Sequence, residues 1–516
     1  MIENSSQQQT NKWLVALIVT VGVFMALLDT TIVDIALPKM MSAFEVDIQK
    51  VQWVVISYFL GSAISMACVG WLGDRFGTRE IFIAGMGIFT LLSALCGLAP
   101  TIEVMNIARF LQGVGEGFIL PMGMTLLFRA FPKEEHGVAT GFFGLGIAFA
   151  PAVGPSLGGF ITQYMSWRWI FYINLPFGFL AALAAWFLFA KDERFKRKAP
   201  FDWFGFLLMS ASFSALIIFT TKGQEMGWLQ SDFILALIIL FAVTFPAFII
   251  WQLKARHPLL DLGLFRDRNY AVGVAVFSIF SFSTFGFWLL LPVYLEKLRG
   301  FPTFTAGLVL LPGAIAGAVS MMIIGYMSDR WRPRLLLFMV LAGGMAGCFI
   351  FNTSLFVSKT DIAIQYGIWS IFIISTIAPL NVIALAGLKD SQMNMGTTFL
   401  NVVRLLFASI GTAYSTSLLS NKLASYFTVL SAKGNYSEPA TREFVGRILF
   451  RHRGEVHGNT IAIIKAEMAK YITAYAASYS FEAVFRTLGI WVGLSLIVAL
   501  LIKRPKTHGG HHGIPH

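Results

Sequence analysis

Charge is scarce in this chain of 516 residues: Asp, Glu, Lys and Arg make up 13% of it, while apolar residues make up 56%. A soluble globular protein carries about 25% charged residues, so the composition excludes that class. Cysteine is scarce as well. Cys68, Cys96 and Cys348 stand far apart in apolar runs, which excludes a disulfide framework or a cysteine metal cluster and leaves small core or lipid-facing residues. No His-Glu-x-x-His, paired-cysteine or Gly-x-x-x-x-Gly-Lys-Ser/Thr pattern is present, so a metalloenzyme and direct ATP coupling are not expected. Gly154-Pro155-Ser156-Leu157-Gly158 matches Gly-x-Ser-x-Gly. It lies inside an apolar run rather than at a strand–turn–helix, so Ser156 is not read as a nucleophile. The tail His508 to His516 has no acid or cysteine beside it and reads as a flexible end rather than a metal site. No enzyme activity, cofactor or metal is expected. The first apolar run follows a polar tail without a small-residue cleavage site and is read as retained. No basic folded domain accompanies the net charge of +12, so no nucleic-acid partner is expected.

Long apolar runs are abundant instead. A helix that crosses a bilayer needs about 20 apolar residues. Fourteen runs qualify, at 13–37, 51–72, 80–99, 103–128, 137–161, 167–190, 203–221, 232–252, 270–294, 304–326, 335–356, 362–388, 396–420 and 484–502. The fold class expected is an all-α integral membrane protein. With the N-terminus inside, basic residues of the inner segments outnumber those of the short outer loops about three to one, which places both termini in the cytoplasm.

Two runs end alike. Gly70-Trp71-Leu72-Gly73-Asp74-Arg75 closes run 2 and Gly325-Tyr326-Met327-Ser328-Asp329-Arg330 closes run 10, both reading Gly-x-x-x-Asp-Arg on the inner side. The repeat predicts two related halves. The expected organisation is a six-helix half over 13–190, linkers and inserted helices 7 and 8 over 191–268, and a second six-helix half over 269–502. Residues 1–12 and 503–516 are cytoplasmic tails, and 421–483 is a long outer loop. An Asp at an inner helix end caps a neighbouring helix, and the adjacent Arg pairs with acids across the interface. Gly70, Asp74, Arg75, Gly77, Arg79, Asp329 and Arg330 are therefore candidates for a conformational latch, with a solvated loop as the competing reading.

Ionised residues at bilayer depth mark pathways. Arg109 and Glu116 are seven residues apart in run 4 and share one helix face, with Gln112 between them. Asp29 and Asp34 lie in run 1, about 140° apart around the helix. Asp29 or Asp34 is expected to exchange a proton modulated by Arg109, with a structural role for Asp29 and an interfacial helix-end polar residue for Asp34 as the competing readings. Glu116, nearest the midplane, either carries a proton, attracts a cationic compound, or is a buried acid bonded to a neighbouring helix. Gln112, Glu116, Asn381 and Arg404 are candidate cavity residues; Arg404 is a gate, an anion contact or a snorkelling side chain. Run 5, with Pro151, Gly154, Pro155, Gly158 and Gly159, reads as a kinked helix packed across the two halves, or as plain close packing.

Together these segments resemble the major facilitator superfamily, specifically its 14-helix drug:proton antiporter family of EmrB and QacA type, and more the EmrB type. The resemblance rests on Leu28 to Pro38 in helix 1, Gly70 to Arg79 after helix 2, Arg109 to Gly113 in helix 4, Gly154 to Gly159 in helix 5, and Trp167 to Gly178 in helix 6. It is dense over 13–178; later it is carried by helix count, by Arg404 to Gly411, and by the long outer segment. Two positions depart from the pattern. The family usually has Asn at Asp34 and a small residue at Glu116, so this chain has two additional acids.

The resemblance implies the major facilitator fold, with 14 transmembrane helices in two six-helix halves plus an inserted pair. It implies proton-coupled export of amphipathic or lipophilic small molecules from the cytoplasm or inner leaflet of a bacterial inner (plasma) membrane, with the proton as coupling ion and membrane lipids around it. The alternative is an exporter dedicated to one natural product such as a siderophore, lipid or toxin. EmrB-like exporters are associated with a periplasmic adaptor protein and an outer-membrane duct. The outer segment, with Asn435, Arg442, Arg447, Arg451 and Arg453, is a candidate docking site, with a passive cap or a disordered loop as the competing readings. Its part from Ile461 to Phe485 is expected as an amphipathic helix lying on the outer surface.

Overall fold

The computed structural model describes residues 11–190, 200–433 and 460–503. Among them are thirteen helices long and apolar enough to cross a membrane. A further 29-residue helix, His136–Tyr164, occupies the position of run 5. In chain order the principal helices are α1 (Lys12–Phe44), α2 (Trp53–Phe76), α3 (Thr78–Leu98), α4 (Ile102–Ala130), α5 (His136–Tyr164), α6 (Asn174–Leu188), α7 (Trp203–Lys222) and α8 (Asp232–Lys254). They continue with α9 (Arg268–Val293), α10 (Thr303–Arg330), α11 (Pro333–Ile350), α12 (Lys359–Ser375, extended by Ile377–Leu385), α13 (Met393–Lys433) and α14 (Thr460–Ala499).

Local chemistry fixes many of the starts. Thr101, Asp202 and Asp267 each accept a backbone N–H in the first turn of α4, α7 and α9, and Ser358 with Asp361 forms a capping box on α12. Glu135 gives α5 no such side-chain cap.

Packing repeats between α1–α6 and α9–α14. In each set the first helix lies on the fifth, the second on the fourth, and the third on the fourth and sixth. The sets meet through α5 against α10 and α2 against α13. The pair α7–α8 stands outside this scheme: α7 packs on α2 and α13, bridging the sets, and α8 packs on α7.

The chain ends described lie on one face. Lys12 Nζ is 2.5 Å from Glu135 Oε2 beside the start of α5, and Arg268 donates to Leu501 O at 3.1 Å beside the end of α14. This basic face also carries Arg75 and Arg330.

The far end of the second set departs from expectation. Residues 421–433 continue α13, and 460–483 continue α14. At 1.5 Å per residue each helix is about 60 Å long, twice the roughly 30 Å hydrocarbon core. The segment from Ile461 to Phe485 is thus a standing extension of the last span rather than a helix lying on the surface. No Gly or Pro interrupts 460–488, so the hydrogen-bond ladder runs on unbroken. Tyr426 of α13 meets Tyr479 of α14 with ring centroids 5.9 Å apart. Asn435, Arg442, Arg447, Arg451 and Arg453, the Lys191–Lys198 linker and the histidine tail lie outside the described residues.

Candidate functional site

The deepest polar cluster is inside the first set. Asp29 of α1, Ser93 of α3, Arg109 and Gln112 of α4, and Asn174 of α6 are each no more than 1% exposed. Their arrangement begins with glycine. A Cβ at Gly61 would lie 1.9 Å from Phe110 O, and one at Gly113 would lie 2.0 Å from Tyr58 O. Only glycine lets α2 and α4 come this close. The contact sets the Arg109 guanidinium 4.1 Å over the Tyr58 ring.

Arg109 Nη1 donates to Asp29 Oδ2 and, at 2.8 Å, to Gln112 Oε1; its Nε donates to Val54 O at 3.1 Å. Asp29 Oδ1 also accepts from Gln112 Nε2 at 3.1 Å and from Asn174 Nδ2 at 2.9 Å. Asn174 donates to Ser93 Oγ at 3.1 Å, and Ser93 donates to Phe171 O at 2.8 Å. One carboxylate therefore gathers donors from two other helices and meets a cation. Such an ion pair survives burial only when its remaining lone pairs are satisfied, and here they are.

Asp34 is separated from this cluster. It is exposed. It lies about 7.5 Å farther along α1 than Asp29.

Glu116 and Arg404 lie on α4 and α13, helices that pack on each other where the sets meet. Glu116 is 5% exposed and Arg404, on α13, is 8% exposed. Glu116 Oε2 and Ser62 Oγ are buried without hydrogen-bond partners. Arg404 makes no hydrogen bond or ion pair among the described residues. Burial excludes snorkelling to the lipid surface for Arg404. Asn381 is 2% exposed, on the last part of α12.

The Gly-x-x-x-Asp-Arg ends lie where the sets touch. Asp329 accepts from Gly137 N at 2.6 Å and Val138 N at 2.9 Å, capping α5 from the other set. Asp74 accepts from Asn394 Nδ2 at 2.6 Å, and Thr78 donates to Asn394 Oδ1 at 3.0 Å. Thr125 and Thr397 hydroxyls are 2.7 Å apart. The arginines differ from expectation: among the described residues Arg75 lies 5.5 Å over Trp71 and Arg330 4.1 Å over Tyr326, and neither reaches an acid. Arg79 turns inward, donating to Trp186 O and, at 3.2 Å, to Glu80 Oε1. Gly77 has φ +106°, a left-handed backbone that glycine adopts freely. Gly70 lets Met395 and Thr398 of α13 approach.

Helix α5 is continuous through Pro151 and Pro155. A Cβ on Gly154 would meet Thr31 of α1 at 2.1 Å and one on Gly158 would meet Ile32 at 2.9 Å, whereas Gly159 faces Phe304 of α10. The helix is a wedge between the two sets.

Tyr58, Ser93, Asn174, Asn394 and Thr397 belong to these sites and escaped the sequence reading. Asn174 carried a signal, as a lone amide in an apolar run. Asn394 and Thr397 also did, as an i, i+3 polar pair at a helix end. Tyr58 and Ser93 look ordinary in any apolar helix.

Comparison with known proteins follows this geometry. The family described as Major Facilitator Superfamily matches residues 19–412. The multidrug export protein EmrB of Haemophilus influenzae is 28% identical, with 95% of this chain and 94% of that protein covered. The fatty acid resistance protein FarB of Neisseria gonorrhoeae is 28% identical, with 97% of each covered. Among solved structures, the human organic anion transporter MFSD10 superposes with a TM-score of 0.59 at 11% identity, covering 95% of this chain and 99% of that one. That likeness concerns the fold alone.

Proposed function

Because the chain belongs to the Major Facilitator Superfamily, among its EmrB-like members, and is a membrane transporter rather than an enzyme, we propose that it is a proton-coupled exporter of amphipathic or lipophilic compounds. It works by alternating access in a bacterial inner membrane. The basic face is cytoplasmic, by the positive-inside rule, and both termini lie there.

The observation that carries this reading is the buried Asp29–Arg109 pair with its donors Gln112 and Asn174. Protonating Asp29 removes the charge that holds Arg109. The freed cation then has Asp34, exposed about 7.5 Å farther along α1, as its next acid. A proton taken at one acid is thereby linked to a side-chain shift, and through α1 and α4 to the packing of the two sets. The contacts of Asp74 and Asp329 lie on the cytoplasmic side, so the two sets are the halves of an exporter latched shut there. Cytoplasmic opening requires those contacts to break.

The projecting ends of α13 and α14 suit a periplasmic adaptor protein leading to an outer-membrane duct. The printed name of the gonococcal relative, fatty acid resistance protein, suits lipophilic cargo.

The test is transport in liposomes containing a pH dye. Wild type should move protons when an amphipathic drug is added, and Asp29→Asn and Arg109→Ala should not. Absence of drug-dependent proton movement across a broad panel of compounds sinks the proposal.

A further inference from the structure

A helix bonded to both sets cannot keep every bond when the sets move. α7 is such a helix, and its end opposite the basic face is two-sided. Lys222 and Glu225, three residues apart, turn to the start of α2. Lys222 Nζ donates to Gln52 Oε1 and, at 2.9 Å, to Glu225 Oε2, while Gln52 Nε2 donates to Glu225 Oε1 at 2.9 Å. Thr220 and Gln224, four residues apart, turn to α13. The Thr220 and Ser409 hydroxyls are 2.6 Å apart, and Ser417 Oγ donates to Gln224 Oε1 at 2.7 Å. Thr220 gives its own proton to Leu216 O at 2.7 Å, so Ser409 is the donor between the two hydroxyls. Near the basic face α7 again meets α2: Phe201, just before its start, lies edge-on to Trp71 with ring centroids 4.9 Å apart. α8 follows α7, because Asp202 accepts from Trp251 Nε1 at 2.9 Å and from Gln252 Nε2 at 3.0 Å.

The two sides differ in strength. A hydrogen bond with an ionised partner is roughly twice as strong as a neutral one. Lys222 is only 5% exposed, so leaving Gln52 would strip a buried charge of one of its two partners. The bonds to α13 are neutral, and breaking them orphans no donor on α7: Thr220 keeps Leu216 O, and Gln224 Oε1 keeps Trp228 Nε1 at 3.1 Å. When the basic face opens, the Asp74–Asn394 contact between α2 and α13 breaks, and α7 must then leave one of those two helices. We propose that α7 and α8 form a strap that travels with the first set, and that Thr220 with Ser409 and Gln224 with Ser417 are its release catch on the second. The catch is made while the basic face is closed and parts as that face opens. It therefore favours the closed state from the side of the membrane opposite the Asp74 and Asp329 contacts.

This inference rests on the alternating-access part of the export reading, but its test is distance rather than transport. The full chain, with Cys68→Ala, Cys96→Ala and Cys348→Ala, is placed in lipid discs and spin-labelled in pairs at exposed positions. Phe76→Cys with Trp331→Cys reports opening of the basic face. Leu229→Cys, beside the strap's end, is paired with Glu103→Cys on the first set or Thr360→Cys on the second. D329A is compared with D329A S409A S417A. Removing two neutral hydrogen bonds should raise the open-to-closed ratio of the Phe76–Trp331 pair about 10-fold. In the open population the Leu229–Glu103 distance should stay as in wild type, and the Leu229–Thr360 distance should shift. The opposite pattern, with Leu229 holding its distance to Thr360 and changing it to Glu103, overturns the proposal and leaves the export reading intact. Opening with both distances constant, or both changed, also overturns it. An open-to-closed ratio that the serine substitutions do not raise overturns the catch. The expected pattern in a protein that transports nothing keeps the strap and removes the export reading instead.

Discussion

Asp329 caps the helix that begins at Gly137: its carboxylate accepts the Gly137 N–H at 2.6 Å, and the neighbouring Val138 N–H at 2.9 Å. Two backbones meet at the same place, since a Cβ on Gly137 would lie 2.0 Å from Gly325 O. A helix N-terminus in one half is therefore completed by an acid in the other. The cap exists only while the halves are closed on the basic face.

Asp329→Ala should accordingly weaken the closed state without disturbing either half. The loss of a side-chain cap costs about 0.5–2 kcal/mol. The expected outcome is faster labelling of a cysteine placed at Ser328 by a membrane-impermeant maleimide. Unchanged labelling would mean that the cap does not hold the halves together.

Asn174 offers a second measurement. It donates to both Asp29 and Ser93. Asn174→Ala removes a hydrogen bond to a charged group, worth about 1.5–3 kcal/mol. Asn174→Asp should be worse, because it sets a second carboxylate against Asp29. Thermal melting in detergent should rank wild type above the alanine variant and the alanine variant above the aspartate. The reverse order of the two variants would show that Asp29 does not rely on Asn174 as a donor.

Gly61 tests the approach of α2 to α4. Its Cβ position is 1.9 Å from a backbone oxygen, which cannot move aside as a flexible side chain does. Gly61→Val should force the helices apart, strip Tyr58 from beneath Arg109, and destabilise the first half by at least the 1–3 kcal/mol typical of overpacking. Gly87, whose Cβ would meet nothing within 4 Å, is the control, and its alanine variant should melt like wild type. Equal melting of both variants would refute the packing account.

Glu225 gives a pH dependence. It lies between α7 and α8, where Lys222 Nζ donates to Glu225 Oε2 at 2.9 Å and Gln52 Nε2 donates to Glu225 Oε1 at 2.9 Å. Burial pushes its carboxyl up, but the hydrogen bonds from Lys222 and Gln52 and the Lys222 charge outweigh that and hold it below its ordinary value of 4.5. Stability from this contact is therefore present above that value and is lost as pH falls below it through the lowered folded-state value. The difference in melting temperature between wild type and Glu225→Gln should be constant near neutrality and shrink in acid. A difference that grows in acid would have the wrong sign.

How much of this was legible in the chain varies residue by residue. The fourteen apolar runs and the charge asymmetry around them follow from the cost of placing peptide and charge in lipid, and those costs are local to each segment. Helix ends such as Asp202 and Asp267 follow from capping chemistry within one turn. The Arg109, Gln112 and Glu116 stripe could be read because helical periodicity is a property of sequence. The segment from Ile461 to Phe485 was not legible, because an extension standing beyond the membrane and a helix lying on its surface carry similar patterning.

Which helix meets which was decided only by tertiary structure. Asp29 and Asp34 are five residues apart in one helix, yet one is buried under Arg109, Gln112 and Asn174 and the other opens to solvent. That difference comes from α3, α4 and α6 closing over one side of α1. Glu116 and Arg404 are far apart in the chain, and they come to the same interface because α4 and α13 pack together. Asn394 could announce itself as polar, but not as the partner of Asp74. Local composition set the helices, their ends and their membrane placement; pairing between distant helices set the site, because contact between residues far apart in sequence depends on packing that no single segment contains.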